Sequence, residues 1–461
     1  MIAKLKDRGH WGSRLGFILA ATGSAVGLGN IWKFPYIAGH YGGGLFVLVY
    51  LACIAVVGVP VLVAEVILGR ATQCSPAGAF KTLRGPGSGW GWVGWLGVAS
   101  GFIILSFYSV VAGWSLHYTY LALTSAFADL GSTDIDGLFG RVYATGRSTC
   151  LHFVVMLLTV GIVVGGVSKG IESVVTFLMP ALFLLLAILM FDAMTLDGFD
   201  EALSFVFSVD KGMSAQGFIE ALGHSFFTLS LGMGAMLTYG SYLNPDDDIP
   251  TASFVIGLLD TVVALSACMI IFPVIFTFGI EPSAGPGLVF KSIPIALNQM
   301  PAGNLLLIAF FALLFFAALS SAISLLEVVV SSAIDQLDWS RARATLTLGA
   351  AILVLGVPSA LSGSTALFSD TWASVFFGKT FFDSFDWLSS AVLLPLGGFL
   401  IAMFAGWFLP EEVRRREFTR GSRFASQYPI WLFFIRWVTP VAMIVVFLFS
   451  VGILPKDLLG P

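Results

Sequence analysis

Long apolar stretches alternate with short polar connections along almost the whole chain. Most stretches are about 20 residues or longer, which is the length that an α-helix needs to cross a bilayer and more than a barrel strand needs. The pattern therefore predicts an all-α integral membrane protein with about eleven transmembrane helices. The predicted spans lie at residues 14–37, 42–69, 90–124, 149–167, 171–191, 217–241, 252–279, 302–335, 343–360, 385–409 and 430–453.

Two of the predicted helices are interrupted by glycine. The first span contains Gly23, Gly27 and Gly29, and the sixth contains Gly232 and Gly234. Each glycine costs a helix interior about 1 kcal/mol relative to alanine, and a break in hydrocarbon leaves backbone N–H and C=O groups in need of other partners. In membrane proteins such breaks usually line a cavity for an ion or a polar substrate. We therefore expect the two breaks to lie together.

The two broken helices each begin one half of the chain. Because five helices, an odd number, separate their starts, the halves have opposite topology, which is typical of inverted repeats. The predicted organisation is a first repeat over residues 1–191, a second over 192–409 and an appended eleventh helix within 410–461. Two outer connections, near 192–216 and 280–301, are long enough for structure of their own, and the second could fold as a short lid.

The composition supports a membrane protein and excludes other classes. Of the 461 residues, 57% are hydrophobic and 11% are charged, whereas average globular proteins carry about 25% charged residues. No basic tract with interleaved aromatic residues indicates nucleic-acid binding. The histidines and cysteines show no nucleophile pairing or metal spacing, so an enzyme is the least favoured class and a structural disulfide is not expected.

The positive charges predict the orientation. With the N-terminus in the cytoplasm, the outer loops hold few basic residues, namely Arg141, Arg147, Lys211, Lys291, Lys379 and Lys456, and most other Lys and Arg residues fall inside. Loops rich in Lys and Arg remain cytoplasmic. We therefore expect a multi-pass protein of the plasma (inner) membrane, with a cytoplasmic N-terminus and, for eleven helices, an external C-terminus.

Four acidic residues, Glu65, Glu172, Asp260 and Glu327, fall in or beside apolar segments. A charge in the bilayer costs about 2.5–3.5 kcal/mol on insertion scales and is a functional candidate by default. We expect Glu65 to support the unwound backbone of the first span by accepting N–H bonds. Asp260 has no Lys or Arg within a turn, so it is protonated, paired or bound to a cation. A sodium ligand is favoured over a protonated structural aspartate.

Hydroxyl groups recur in the eighth span at Ser320 and Ser321. They could give oxygen ligands to a hard cation, or they could only allow close helix packing. A helix N-terminus attracts a carboxylate, and the carbonyls freed at a break coordinate sodium. Such a chain can bind an anionic group and cations side by side.

Taken together, these motifs resemble the neurotransmitter:sodium symporter family, in its prokaryotic amino-acid transporter branch with the leucine-transporter fold. The resemblance covers nearly the whole chain. It rests on Arg8-Gly9-His10-Trp11, on Gly23 to Asn30 followed by Trp32-Lys33-Phe34-Pro35-Tyr36, on Gly42-Gly43-Gly44, on Phe226 to Gly234 and on Phe315 to Ser324.

The resemblance implies two sodium sites. The first uses the Ala25 carbonyl, the side chains of Asn30, Thr228 and Asp260, and the carboxylate of the substrate. The second uses the carbonyls of Gly23, Val26 and Ala317 and the hydroxyls of Ser320 and Ser321.

The resemblance also implies a substrate site with two gates. The substrate carboxylate would meet Leu28, Gly29 and Tyr108, and the ammonium would meet Ala25, Phe227 and Ser230. The side-chain pocket would comprise Ile104, Phe227, Ser230, Met233, Ser324 and Leu325. The outer gate would be Lys33 and Asp386, and the inner gate Arg8 and Asp335 with Trp11 and Tyr242 in support.

Three residues depart from the pattern of the resembled family. Asp260 stands where the family usually has Asn, Ser320 replaces the common Thr, and Lys33 replaces Arg, which removes bidentate geometry but keeps the charge. Chloride-dependent members obtain from chloride a negative charge that Asp260 supplies here. Ala264, at the chloride-site position one turn later, offers no hydroxyl. We therefore expect no chloride requirement.

Gly27 indicates the class of substrate. Monoamine transporters of the resembled family carry an aspartate at this position in place of a substrate carboxylate, whereas Gly27 leaves room for the substrate's own. The expected function is sodium-coupled import of an amino acid, with a hydrophobic L-amino acid favoured by the apolar pocket, through alternating access. The alternatives are a proton-coupled transporter of the same fold, in which Asp260 titrates, and a substrate-gated channel or sensor.

Overall fold

The computed structural model describes residues 9–128, 130–143, 145–210, 212–279 and 287–454. Over these ranges the chain forms helices and connecting turns and contains no β-strand. The helices α1 to α11 form the transmembrane body. They are α1 (Arg14–Ala25 and Gly29–His40), α2 (Gly44–Thr72), α3 (Gly91–Leu123), α4 (Arg147–Val164), α5 (Val167–Ala193), α6 (Ala215–Thr228 and Ala235–Gly240), α7 (Ile249–Phe278), α8 (Gly303–Leu337), α9 (Arg341–Ala360), α10 (Phe381–Phe408) and α11 (Ala425–Ser450).

Within the described residues, nine helices are long and apolar enough to cross a membrane, and the bent pair in α1 makes a tenth. The two pieces of α6 are too short to qualify separately. The all-α membrane class is confirmed, whereas the predicted count of eleven depends on taking α6 as one span.

The first break lies between Ala25 and Gly29. Val26 has an extended backbone (ψ 109°) that ends the first half of α1, and the second half resumes as a π-helical turn over Gly29–Lys33. The two halves meet at an angle of 50°. The glycine-rich stretch is therefore the interruption that the sequence predicts.

The second break separates Thr228 from Ala235. Ser230, Gly232 and Gly234 adopt left-handed backbone conformations, with φ of 54°, 82° and 78°. Glycine adopts this conformation without steric cost. The helix is interrupted here, which leaves α6 in two pieces, as predicted.

The buried centre of the bundle lies around α3 and α8, which are the most enclosed of the long helices. Helices α4, α5, α9 and α11 are buried over about a third of their apolar length and expose large side chains such as Phe177, Phe191 and Val354. Such exposure is expected of a surface that faces lipid. The broken helices α1 and α6 lie against this enclosed centre, away from the periphery.

Short helices occupy the connections. Phe199–Phe207 lies in the first long outer connection and Leu288–Asn298 in the second. Residues 280–286, where part of the expected lid falls, lie outside the described residues. Most residues of the Leu288–Asn298 helix are buried, and the Tyr118 hydroxyl donates to the Phe290 carbonyl at 3.0 Å.

Candidate ion and substrate sites

Asp260 lies at the centre of a buried polar cluster. Its carboxylate accepts hydrogen bonds from the Asn30 amide at 2.8 Å and the Thr228 hydroxyl at 3.0 Å, and the Tyr50 hydroxyl lies at 3.4 Å. Asp260 and Asn30 are fully buried. Helices α1, α6 and α7 therefore bring together Asn30, Thr228 and Asp260, the side chains expected at the first sodium site. Tyr50, on α2, also contacts this carboxylate, and the sequence did not indicate it.

The cluster is chemically suited to a small hard cation. Each side chain in it carries an oxygen, although Asn30 here directs its N–H group to the carboxylate and its oxygen to Gly27. Among the described residues, no Lys or Arg lies within 4 Å of the Asp260 carboxylate. Hard cations prefer carboxylate, carbonyl and hydroxyl oxygens. Asn30 also accepts a bond from the Gly27 N–H at 3.0 Å, which connects the cluster to the first break.

A second group of oxygens surrounds Ser321 on α8. Its hydroxyl lies 3.4 Å from the Gly23 and Val26 carbonyls and 3.2 Å from the Ala317 carbonyl. Ser320 lies on the same turn, with its hydroxyl 3.0 Å from the Ala317 carbonyl. The residues expected at the second sodium site thus converge, and the donor set again consists of oxygen alone.

A small cavity of about 30 Å³ lies between the two breaks. It is lined by Ser24, Ala25, Gly27, Leu28, Gly29, Asn30, Ile104, Tyr108, Phe227, Thr228, Ser230, Met233, Ser321 and Leu325. Every residue expected to contact substrate is in this set except Ser324. Ligand pockets usually enclose about 300–1,000 Å³, so an amino acid enters only if some of these side chains move.

Gly27 has no space for a side chain. A Cβ there would lie 3.0 Å from both the Ser321 and Tyr108 hydroxyl oxygens. The Tyr108 hydroxyl also accepts a hydrogen bond from the Leu28 N–H at 3.3 Å. Because residue 27 has no side chain, its backbone lies directly beside the hydroxyl groups of Ser321 and Tyr108.

Ser24 is a site residue that the sequence reasoning missed. Its carbonyl accepts a bond from the Ser230 hydroxyl at 2.7 Å, and its hydroxyl donates to Ser324 at 2.8 Å. It therefore joins α1 directly to the second break and to α8. The sequence feature that could have identified Ser24 is its position as a hydroxyl residue inside the glycine-rich stretch.

Glu65 supports a different break from the one expected. Its carboxylate accepts bonds from the N–H groups of Gly232 at 2.7 Å and Leu237 at 3.3 Å. The expectation that it supports the unwound part of α1 is therefore wrong. The inner end of α2 packs against the short second half of α6, so its carboxylate meets the backbone of α6.

The outer side of the site opens into a cavity of about 630 Å³. Lys33 and Asp386 both line it, but their charged atoms are not within 4 Å of each other. The Lys33 ammonium instead lies 5.2 Å from the ring centre of Phe227, a cation–π distance. Phe227 in turn lies over Gly29, where a Cβ would be 3.0 Å from its ring.

The inner side is closed by contacts around Trp11. Its indole N–H donates to the Tyr239 carbonyl at 2.9 Å, and its backbone N–H donates to the Tyr242 carbonyl at 3.2 Å. The next residue, Gly12, donates its N–H to Glu172 on α5 at 2.7 Å. The segment before α1 is therefore bound both to α6 and to α5.

The expected inner ion pair falls partly outside the described residues, because Arg8 is not among them. Asp335 accepts a bond from the Ser75 N–H at 2.6 Å. A second inner network was not anticipated: the Tyr242 hydroxyl donates to Glu327, whose carboxylate pairs with Arg341 at 2.7 Å. Arg341 is the first residue of α9, a helix that the sequence analysis did not connect with the inner gate.

Comparison with known proteins identifies the family. Residues 8–133 and 138–457 match the model of the sodium:neurotransmitter symporter family. The chain is 39% identical over 448 residues to the uncharacterized sodium-dependent transporter YhdH of Bacillus subtilis (strain 168), with 96% of this chain and 98% of that one covered. It is 33% identical over 462 residues to an uncharacterized sodium-dependent transporter of Haemophilus influenzae, with 97% and 99% covered.

A solved structure gives the same result. The crystal structure of MhsT in complex with L-phenylalanine matches with a TM-score of 0.87 and 42% identity, and the match covers 96% of this chain and 100% of that one. The predicted fold and the prediction of a multi-pass, sodium-dependent transporter rather than an enzyme are confirmed. The chain belongs to the sodium:neurotransmitter symporter family.

Proposed function

We propose that this protein is a chloride-independent symporter that uses sodium to import a hydrophobic L-amino acid. The observation that supports this most directly is the cavity between the two helix breaks. Its wall includes Asn30 and Thr228, which bond the Asp260 carboxylate, the Ser321 hydroxyl, and the apolar side chains of Ile104 and Leu325. Phenylalanine in the complex of MhsT, at 42% identity, supports the substrate class.

In this proposal the amino acid binds along the two breaks. Its carboxylate meets the N–H groups of Leu28 and Gly29 and the Tyr108 hydroxyl, and its ammonium meets carbonyls of the breaks. The contributing residues for the ammonium are Ala25, Phe227 and Ser230, and those for the side chain are Ile104, Phe227, Ser230, Met233, Ser324 and Leu325. In the structure the Leu28 N–H donates to the Tyr108 hydroxyl at 3.3 Å, so the two groups are adjacent and substrate binding would exchange that bond for bonds to the carboxylate.

Sodium is carried with the amino acid at two sites. The first comprises Ala25, Asn30, Thr228 and Asp260 and is completed by the substrate carboxylate. The second comprises Gly23, Val26, Ala317, Ser320 and Ser321. Coupling follows because the substrate itself supplies an ion ligand, so each improves the binding of the other.

Alternating access then requires two gates. Closure of the outer gate brings Lys33 to Asp386 as Phe227 covers the substrate, and opening of the inner gate separates Arg8 from Asp335, with Trp11 and Tyr242 released. We assign the gated movement to two inverted repeats, residues 1–191 and 192–409, with 410–461 appended. The N-terminus is cytoplasmic and the C-terminus external in this arrangement.

Chloride independence follows from the charge on Asp260. The carboxylate lies among Asn30, Thr228 and Tyr50 in the place where an anion would be needed, and Ala264 is a fully buried residue without a hydroxyl one turn later. Replacement of chloride by gluconate should leave wild-type uptake unchanged. Asp260→Asn should abolish uptake or make it chloride-dependent, while the control Asp383→Asn, in the 630 Å³ outer cavity, should remain chloride-independent. Unchanged, chloride-independent uptake by Asp260→Asn would contradict the charge argument.

Uptake by the full protein in proteoliposomes tests the main proposal. An imposed inward sodium gradient should drive accumulation of labelled L-phenylalanine, and potassium in place of sodium should abolish it. Accumulation driven by a pH gradient in sodium-free buffer would instead favour the proton-coupled alternative. Currents far above the turnover of a transporter would favour a channel.

A further inference from the structure

A groove rich in tryptophan lies at the start of α3 and shares no lining residue with the substrate cavity. It encloses about 940 Å³ and is lined by Trp90, Trp92, Trp95, Leu96, Ala99 and Leu400, with Ser88 and Gly89 at its polar end. Three of the twelve tryptophans of the chain therefore fall within six consecutive residues. Trp92 is 78% exposed, so its ring faces outward from the helix bundle.

The position of the groove corresponds to a membrane–water interface. Trp90 immediately precedes the first residue of α3, and the polar turn Gly85–Gly89 lies directly before it, on the same side of the bilayer as the N-terminus. Tryptophan is concentrated at the level of lipid headgroups. The polar end of the groove therefore lies at headgroup level, and Leu96, Ala99 and Leu400 extend from it into the apolar region.

Two cations lie beside this groove, one over a ring of its wall and the other over a ring that packs against the wall. The Lys81 ammonium lies 6.0 Å from the ring centre of Trp95 and donates one hydrogen bond to the Gln336 side-chain oxygen at 3.1 Å. The Arg84 guanidinium lies 5.7 Å from the ring of Phe408, which itself packs 4.6 Å from the ring of Trp90. Among the described residues, neither cation has a carboxylate within 4 Å. The rim of the groove thus carries positive charge that no described acidic side chain neutralises.

We propose that this groove binds one anionic glycerophospholipid from the leaflet on the N-terminal side. Its phosphate would contact Arg84 and Lys81, because guanidinium and ammonium groups bind phosphate. One acyl chain would lie along Trp92, Leu96 and Leu400. Basic pockets between transmembrane helices bind such headgroups, and the combination of a concave apolar wall with unneutralised cations favours a lipid with net negative charge over a zwitterionic one.

Native mass spectrometry of the purified full-length protein tests this assignment. In titrations with dioleoyl-phosphatidylglycerol, the wild type should retain one lipid at least fivefold more tightly than dioleoyl-phosphatidylcholine. Arg84→Gln and Trp92→Ala should each weaken phosphatidylglycerol binding at least fivefold. Both side chains are exposed, so monodispersity and the thermal transition should be unchanged and a loss of folding is distinguishable from a loss of binding.

A matched control comes from the same side of the membrane. Arg343 is exposed and also lies over a tryptophan, at 4.6 Å from the ring of Trp339, but does not line the groove. Arg343→Gln should bind phosphatidylglycerol as the wild type does. Equal binding of the two lipids, wild-type binding by Arg84→Gln and Trp92→Ala, or competition by soluble glycerol phosphate would overturn the proposal. Because the readout is binding, the result is independent of the transport assay.

Discussion

The two helix breaks solve the same backbone problem with different chemistry. In α1, the freed N–H groups meet neutral side chains, with Gly27 bonded to Asn30 and Leu28 to Tyr108. In α6, they meet a carboxylate, because Glu65 accepts the N–H groups of Gly232 and Leu237. The bonds to a charged acceptor are the stronger kind.

This difference indicates that the two breaks have different roles, one in binding and one in stability. The break in α1 has neutral partners, and its carbonyls at Gly23 and Val26 face the Ser321 hydroxyl, so it is suited to exchange partners with an ion or substrate. The break in α6 is fixed by Glu65 and by left-handed residues such as Gly232. We therefore expect changes in α6 to act on stability and changes around α1 to act on sodium binding.

The largest effect is expected from Gly232→Ala. The residue has φ of 82°, and an added Cβ would lie 2.5 Å from the Leu394 carbonyl oxygen. The backbone conformation alone costs on the order of 1–3 kcal/mol for a residue with a side chain, and the clash adds to it. We expect little or no monodisperse protein by size-exclusion chromatography. Gly223→Ala, whose Cβ would only touch Val446 at 3.7 Å, is the matched control and should purify normally.

Glu65→Gln should have the next largest effect. The variant keeps the shape of the side chain but loses the charge that strengthens the bonds to Gly232 and Leu237, at a cost of about 1–3 kcal/mol. The thermal transition should fall by several degrees with and without sodium, while sodium still stabilises the protein. Glu201→Gln, on an exposed outer residue, should change neither quantity. Loss of the sodium response at unchanged stability would place Glu65 in the ion site instead.

Ser321→Ala should have the smallest effect on stability and a selective effect on sodium. Removal of the hydroxyl from among the carbonyls of Gly23, Val26 and Ala317 should weaken apparent sodium affinity about tenfold, or about 1.4 kcal/mol. The measurement is sodium-dependent binding of labelled L-phenylalanine. Ser332→Ala, whose hydroxyl bonds only within its own helix at 3.0 Å, is the control. Equal sodium dependence in the two variants would contradict the assignment.

The breaks themselves could be predicted from the sequence because glycine destabilises the interior of any helix, whatever the helix packs against. Asp260 could also be identified, since a carboxylate in an apolar segment needs a partner wherever it lies. That Asn30 and Thr228 would meet this carboxylate was predicted only through the resemblance to a family. The three residues lie on three different helices, α1, α6 and α7, so no local pattern connects them.

The remaining features depend on packing that no local pattern reveals. Glu65 was assigned to the wrong break because the sequence does not show that α2 packs against the inner half of α6. Ser24 was missed because its role depends on its carbonyl, which every residue has. Arg341 was missed because its partner Glu327 lies 14 residues earlier, on the preceding helix.

The short segment before α1 has a consequence for the order of events. Trp11 donates to the carbonyls of Tyr239, in the inner half of α6, and Tyr242, just after it, and Gly12 and Ser13 both donate to Glu172 on α5. Displacement of the inner half of α1 away from either neighbour has to break the bonds to that neighbour. If the two bonds to Glu172 break first, the inner half of α1 moves with α6; if the two bonds of Trp11 break first, it stays with α5. The relative strength of these contacts therefore selects which side of the inner half of α1 opens to water first.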